Sequence, residues 1–90
     1  MEIIFSIEYL EQVKERDIPA LPKSVKIQVR KAIEKKLTTN PQLFGAPLRF
    51  NYSGLRRIRV GDYRVIYNID ANKKMVTITA IGHRKDVYDE

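Results

Sequence analysis

Residues 54–70, GLRRIRVGDYRVIYNID, decide the fold. Two β-rich runs, 55–60 and 63–69, meet across Gly61-Asp62, a short connection that signals a tight hairpin. A third run, 74–82, follows across the polar turn DANK, so three antiparallel strands lie in succession. Side chains alternate faces along a strand. Ile58 and Val60 therefore share one face and Arg57 and Arg59 the other, with Arg56 falling among the apolar set at the strand's start. Tyr63, Val65, Tyr67 and Ile69 form the next apolar row, leaving Arg64, Ile66 and Asn68 opposite. Unbroken alternation in the last strand puts Val76, Ile78 and Ala80 in the core. It sends Met75, Thr77, Thr79, Ile81 and His83 to the arginine side.

Upstream, the run EIIFS predicts a first strand at 2–6. Ser6 reads as a helix cap, with Glu8 in the first turn, where the helix dipole favours a negative charge. Leu10 and Val13 then supply an apolar stripe, and Pro19 ends the helix because it cannot continue the hydrogen-bond ladder. PKSVKIQVRKAIEKKL is the clearest helix: Pro22 suits its first position, and Leu21, Val25, Val29, Ala32, Ile33 and Leu37 recur at helical spacing. TTNP stops it before Pro41, and 42–54 is irregular. The order β-α-α-β-β-β predicts an α+β fold, an antiparallel sheet with two N-terminal helices packed on one face. Ninety residues allow one domain, spanning 1–90.

The chain carries 17 Lys and Arg against 11 Asp and Glu, a formal charge of +6, which favours a polyanion or an acidic protein as partner. It has no cysteine, hence neither disulfides nor a thiolate metal site, which suits a reducing compartment. The start MEIIFSIEYL lacks the basic segment and long apolar run of a signal peptide, and no stretch nears the about 20 apolar residues of a membrane span. The expectation is a soluble cytoplasmic protein with no membrane association.

With helices on the Val and Ile face, the other face collects Arg57, Arg59, Arg64 and, by alternation, His83. Two readings compete. A solvated antiparallel face is ordinarily polar, and basic residues discourage aggregation of exposed strands. Three arginines with no carboxylate on the same face point instead to phosphate, which the planar guanidinium grips in a bidentate way.

Taken with the closing segment GHRKDVY, the run LRRIRVGDYRVIYNID resembles the RelE/ParE superfamily of toxins from type II toxin–antitoxin systems. The likeness extends over nearly the whole chain, including LPKSV and the NP break. It implies a basic toxin neutralised by a cognate, acidic, RelB-like antitoxin. RelE-type members enter the ribosomal A site and cleave mRNA without a metal or other cofactor, by attack of a 2′-OH on the adjacent phosphate. ParE-type members share the fold but inhibit DNA gyrase, and an inactive member would bind its antitoxin alone.

Residue by residue, the RelE resemblance implies catalytic roles for Arg57, Arg59, Arg64, Arg84 and Tyr88, and an RNA-binding surface of Arg56, Arg57, Arg59, Arg64 and Lys85. Arg57 and Arg59 stand where RelE carries lysines. A guanidinium stays protonated at any working pH, so neither can act as base. His83, the one histidine of the chain, becomes the expected base or acid, because imidazole as a side-chain type exchanges protons near neutrality. Tyr88 is suited to stacking on an unpaired base.

Overall fold

The hairpin forms where the sequence places it. In the computed structural model, which describes residues 4–41, 45–47 and 54–83, β3 is Leu55–Val60 and β4 is Tyr63–Asp70. Their antiparallel register pairs Ile58 with Val65 and Arg59 with Arg64. Gly61 turns the corner with φ 62°, a left-handed conformation that glycine adopts without a Cβ penalty. β5, Met75–His83, pairs antiparallel with β4, and two residues upstream of the hairpin, Ala46–Pro47 (β2), pair with Arg57 and Arg56.

The first strand differs from expectation. β1 is Ser6–Tyr9, later than 2–6, and it runs parallel to β5 in a sheet otherwise antiparallel, with order β1-β5-β4-β3-β2. Residues 2 and 3 lie outside the described residues. Ser6 is not a helix cap: its amide donates to Lys74 O at 2.9 Å, and the Leu10 amide donates to Ile78 O at 3.1 Å. Ile7 and Tyr9 point at the core and Ser6 and Glu8 away from it, so the IEY run is a half-buried strand. A ladder against β5 outweighs the capping that Ser6 offers locally. Leu10, assigned to a helical stripe, is 38% exposed.

The first helix is correspondingly short. It centres on a wide, π-type turn, Val13–Asp17, which buries Val13, and it closes with the Ile18 amide on Val13 O. The second helix is as expected: α1, Lys23–Ala32, with Pro22 as its N-cap, continued by a π-type turn, Ile33–Leu37. Leu21, Val29, Ile33 and Leu37 are buried against Ile58, Val65, Tyr67, Val76 and Ile78 of the sheet. Each such aliphatic side chain contributes about 1.5–3 kcal/mol by leaving water. The helical segments thus cover one sheet face, the helix face, and leave β3, β4 and β5 with a reverse face.

The alternation in β5 does not run unbroken. Tyr67 pairs with Ile78 but Ile66 pairs with Ala80, leaving Thr79 as an extra residue on β5, a bulge. The bulge moves every later side chain to the opposite face. Ile81, expected among the arginines, is 3% exposed in the helix-side core, across from Val65, while Ala80 and Gly82 take the reverse face. His83 pairs with Tyr63 and moves with Ile81.

A second feature ties the irregular segment to the sheet. The Tyr67 hydroxyl donates to Pro41 O at 2.7 Å, and an Arg56 Nη donates to Gly45 O at 2.5 Å. Gly45 lies so close that a Cβ there would come within 1.8 Å of Tyr67 Oη. Only glycine lets the backbone pass over this buried phenol. Burial pushes the Tyr67 pKa above its ordinary value, partly offset by the nearby Arg56.

Candidate nucleic-acid interface

The reverse face gathers its basic groups through register alone. Arg59 and Arg64 are direct cross-strand partners, and Arg64 is in turn opposite Gly82. One step along the strands, Arg57 pairs with Ile66, which pairs with Ala80. The resulting two rows, Arg59–Arg64–Gly82 and Arg57–Ile66–Ala80, have bulky basic groups on β3 and only hydrogen or methyl side chains on β5. Two guanidinium side chains set directly opposite one another repel.

The three arginines differ in depth. Arg59 is exposed, Arg57 is half-buried, and Arg64 is 6% exposed. Ile66 beside it is 2% exposed yet stands outside the helix-side cluster, so the centre of the reverse face is itself buried. Arg57 and Arg64 both engage neighbours in the chain. The arrangement is a graded cationic surface, with a rim arginine leading to one held rigidly in the sheet. A side chain fixed this way loses little further freedom on gripping an anion, which is what preorganised charge stabilisation requires.

Two sequence-predicted residues lie elsewhere. Arg56 is across from Tyr67, on the helix face, where it binds Gly45 O. The expectation that His83 shares the arginine face is corrected by the bulge. Its ring meets Tyr63 edge-on, with centroids 5.3 Å apart and planes at 80°, and borders a cleft of about 690 Å³ between the first helical turn and the end of β5. Gln12, Arg16 and Asp17 form the cleft's other wall. Arg84, Lys85 and Tyr88 lie outside the described residues.

Sequence reasoning overlooked two participants. Gly82 stands across from Arg64 with no side chain of its own, and a glycine inside a strand pattern is a signal of a bulge or close approach. Asp17, whose Oδ2 accepts the Ile81 amide at 3.0 Å, carries no such signal in the sequence.

The structure is a small basic α+β domain with arginines on the sheet face turned away from its helices. Comparison with known proteins narrows that description. The family described as the ParE toxin of the type II toxin–antitoxin system, parDE, matches residues 7–88. Toxin RelE of Mycobacterium tuberculosis is 37% identical over 73 residues, covering 81% of this chain and 75% of that protein. Toxin RelG of the same organism is 34% identical over 73 residues, covering 81% and 84%. Among solved structures, the M. tuberculosis RelBE2 toxin–antitoxin complex superposes with a TM-score of 0.84 at 28% identity, covering 93% of this chain and 95% of that one. The isolated Escherichia coli RelE toxin, at 21% identity, shares the fold with a TM-score of 0.71 over 88% and 83% of the two chains. The chain belongs to the RelE/ParE family of type II toxin–antitoxin toxins.

Proposed function

We propose that this toxin is a RelE-like endoribonuclease that cleaves mRNA on the ribosome. The observation that carries the reading is the Arg57–Arg59–Arg64 cluster on the reverse face, with Arg59 and Arg64 in direct register. Arg59 meets the RNA backbone at the exposed rim. Arg57 and Arg64 take the non-bridging oxygens of the scissile phosphate and stabilise the charge that grows as the neighbouring 2′-OH attacks in line. The bond from phosphorus to the 5′-oxygen breaks, leaving a 2′,3′-cyclic phosphate and a 5′-hydroxyl. The nucleophile belongs to the RNA itself, so the protein's task is alignment and charge. Arg84 and Tyr88, matched to RelE by sequence, join as a further phosphate ligand and a base-stacking group, and Lys85 adds backbone attraction.

Proton transfer is not assigned to His83, which meets Tyr63 on the helix face. Acceleration in this account rests on in-line geometry and arginine electrostatics. Arg56 acts as a strut for residue 45 rather than as an RNA contact.

In the cell the toxin is held inactive by an antitoxin. Several structural neighbours are RelB–RelE complexes, and a net charge of +6 suits an acidic partner. No helix among the described residues is long and apolar enough to cross a membrane.

A second reading has an observation behind it, because the matching family is described by ParE. In that reading the protein binds and inhibits DNA gyrase and cleaves nothing. A coupled translation reaction followed by primer extension on the mRNA decides. New 3′ ends within translated codons support the nuclease; intact mRNA together with a blocked supercoiling assay supports the gyrase inhibitor.

A further inference from the structure

Beyond Ile78 the sheet loses its β1 neighbour. The last ladder bond from β1 is the Leu10 amide on Ile78 O, after which the chain leaves the edge and winds into the helical turn. Among the described residues, the final residues of β5 therefore have β4 on one side and no strand on the other. A backbone amide left at such an edge needs an acceptor. The helical turn supplies one: Asp17, its last residue, returns to the vacated edge, and Oδ2 takes the Ile81 amide across 64 residues of sequence. Such a charge-assisted bond is stronger than a neutral ladder bond.

The position of this bond matters because it lies just past the bulge. Thr79 is the extra residue, and its hydroxyl donates to Ile66 O at 3.3 Å. If β5 instead ran on in uniform alternation, Ile81 and His83 would turn to the reverse face. Arg64 would then meet a side chain in place of Gly82. We propose that Asp17 is a positioning residue for the reverse-face site: by holding the Ile81 amide it fixes the phase of β5 after the bulge. It thereby keeps Gly82, rather than the Ile81 side chain, across from Arg64. Asp17 touches no substrate and acts through β5. The inference rests on the phosphate-binding reading of that face.

The test compares Asp17→Ala with Asp17→Asn, which keeps a neutral carbonyl acceptor of the same shape. Three quantities are read on the full chain: amide exchange at Ile81, the Tyr63–His83 ring contact by nuclear Overhauser effects, and single-turnover RNA cleavage on programmed ribosomes. Asp17→Ala should raise Ile81 exchange by about 10–100-fold, as loss of a charged hydrogen bond does. It should also weaken the ring contact and slow the chemical step by about tenfold to hundredfold, with RNA affinity changed far less. Asp17→Asn should recover most of the cleavage and the ring contact. If Asp17→Ala does not fold, Asp17→Asn alone still decides, because a neutral bond should leave Ile81 exchange raised about threefold or more. Wild-type exchange at Ile81 in either variant overturns the proposal. So does wild-type cleavage by a variant that has lost the ring contact. Absence of cleavage by the wild-type protein removes the nuclease reading instead, and the exchange and ring-contact results still decide whether Asp17 sets the phase.

Discussion

Replacing Arg59 by Gln probes the arginine face most cleanly, because Arg59 is exposed and its loss leaves the core intact. Three arginines share the reverse face among the described residues: Arg57, Arg59 and Arg64. Each phosphate neutralised on a single strand releases about 0.7 of a counterion, so three contacts give a slope of about −2 in log affinity against log salt. Raising salt from 50 to 200 mM should then weaken binding of a single-stranded RNA by about 18-fold. Arg59→Gln removes one contact and should flatten the slope by about 0.7, reducing that loss to about sevenfold. Relief of the Arg59–Arg64 repulsion acts in the opposite direction on stability, so the variant's Tm should hold or rise slightly. Fluorescence anisotropy across a salt series reads the slopes. An unchanged slope in Arg59→Gln, or an equal flattening by a control such as Lys26→Gln on α1, would mean that the face is merely solvated.

Other consequences follow from the same contacts. Gly45→Ala drives a Cβ toward Tyr67 Oη, and Tyr67, fully buried and bonded to Pro41, has no room to yield; overpacking should cost about 1–3 kcal/mol in a denaturant titration. Adding Tyr67→Phe to that variant should recover part of the loss, a coupling that a double-mutant cycle measures. Burial raises the Tyr67 and Tyr9 pKa values, so the folded state holds these protons more tightly than the unfolded chain. Stability should be at full value below about pH 10, the ordinary tyrosine pKa, and fall as pH rises past it, with Tyr67→Phe flattening the decline in a pH series of thermal melts. His83→Gln should keep mRNA cleavage within about threefold of wild type with the same pH profile, whereas a general base would cost about 10²–10⁴-fold.

The sequence made the hairpin legible because composition and turn chemistry agreed: two alternating runs joined by Gly61, whose backbone requires a positive φ. The main helix was equally plain from the spacing of Leu21, Val29, Ile33 and Leu37. β1 was misread because Ser6 followed by Glu8 carries a genuine local helix signal, and only the remote partner strand β5 outweighs it. The bulge was harder. VTITAIG reads acceptably in uniform alternation, and the single hint is that Val76, Ile78 and Ile81 are spaced two and then three apart, with the small Ala80 between. That hint decides the face of His83, so the arginine cluster was readable by parity while the histidine was not. Asp17 was invisible for a different reason: its bond depends on where β1 stops, a fact of tertiary pairing.

The arginine face is proposed to promote attack by the RNA's own 2′-OH. The direct measurement uses programmed ribosomes carrying an mRNA with a single 2′-deoxynucleotide on the 5′ side of the cleaved bond, beside the all-ribose mRNA. The account predicts that the all-ribose message is cut, leaving a 2′,3′-cyclic phosphate upstream and a 5′-hydroxyl downstream. The 2′-deoxy message should remain intact at that bond, and Arg64→Gln should slow cleavage of the ribose message by at least about 10²-fold. Cleavage of the 2′-deoxy message at the ribose rate, or wild-type cleavage by Arg64→Gln, would contradict it.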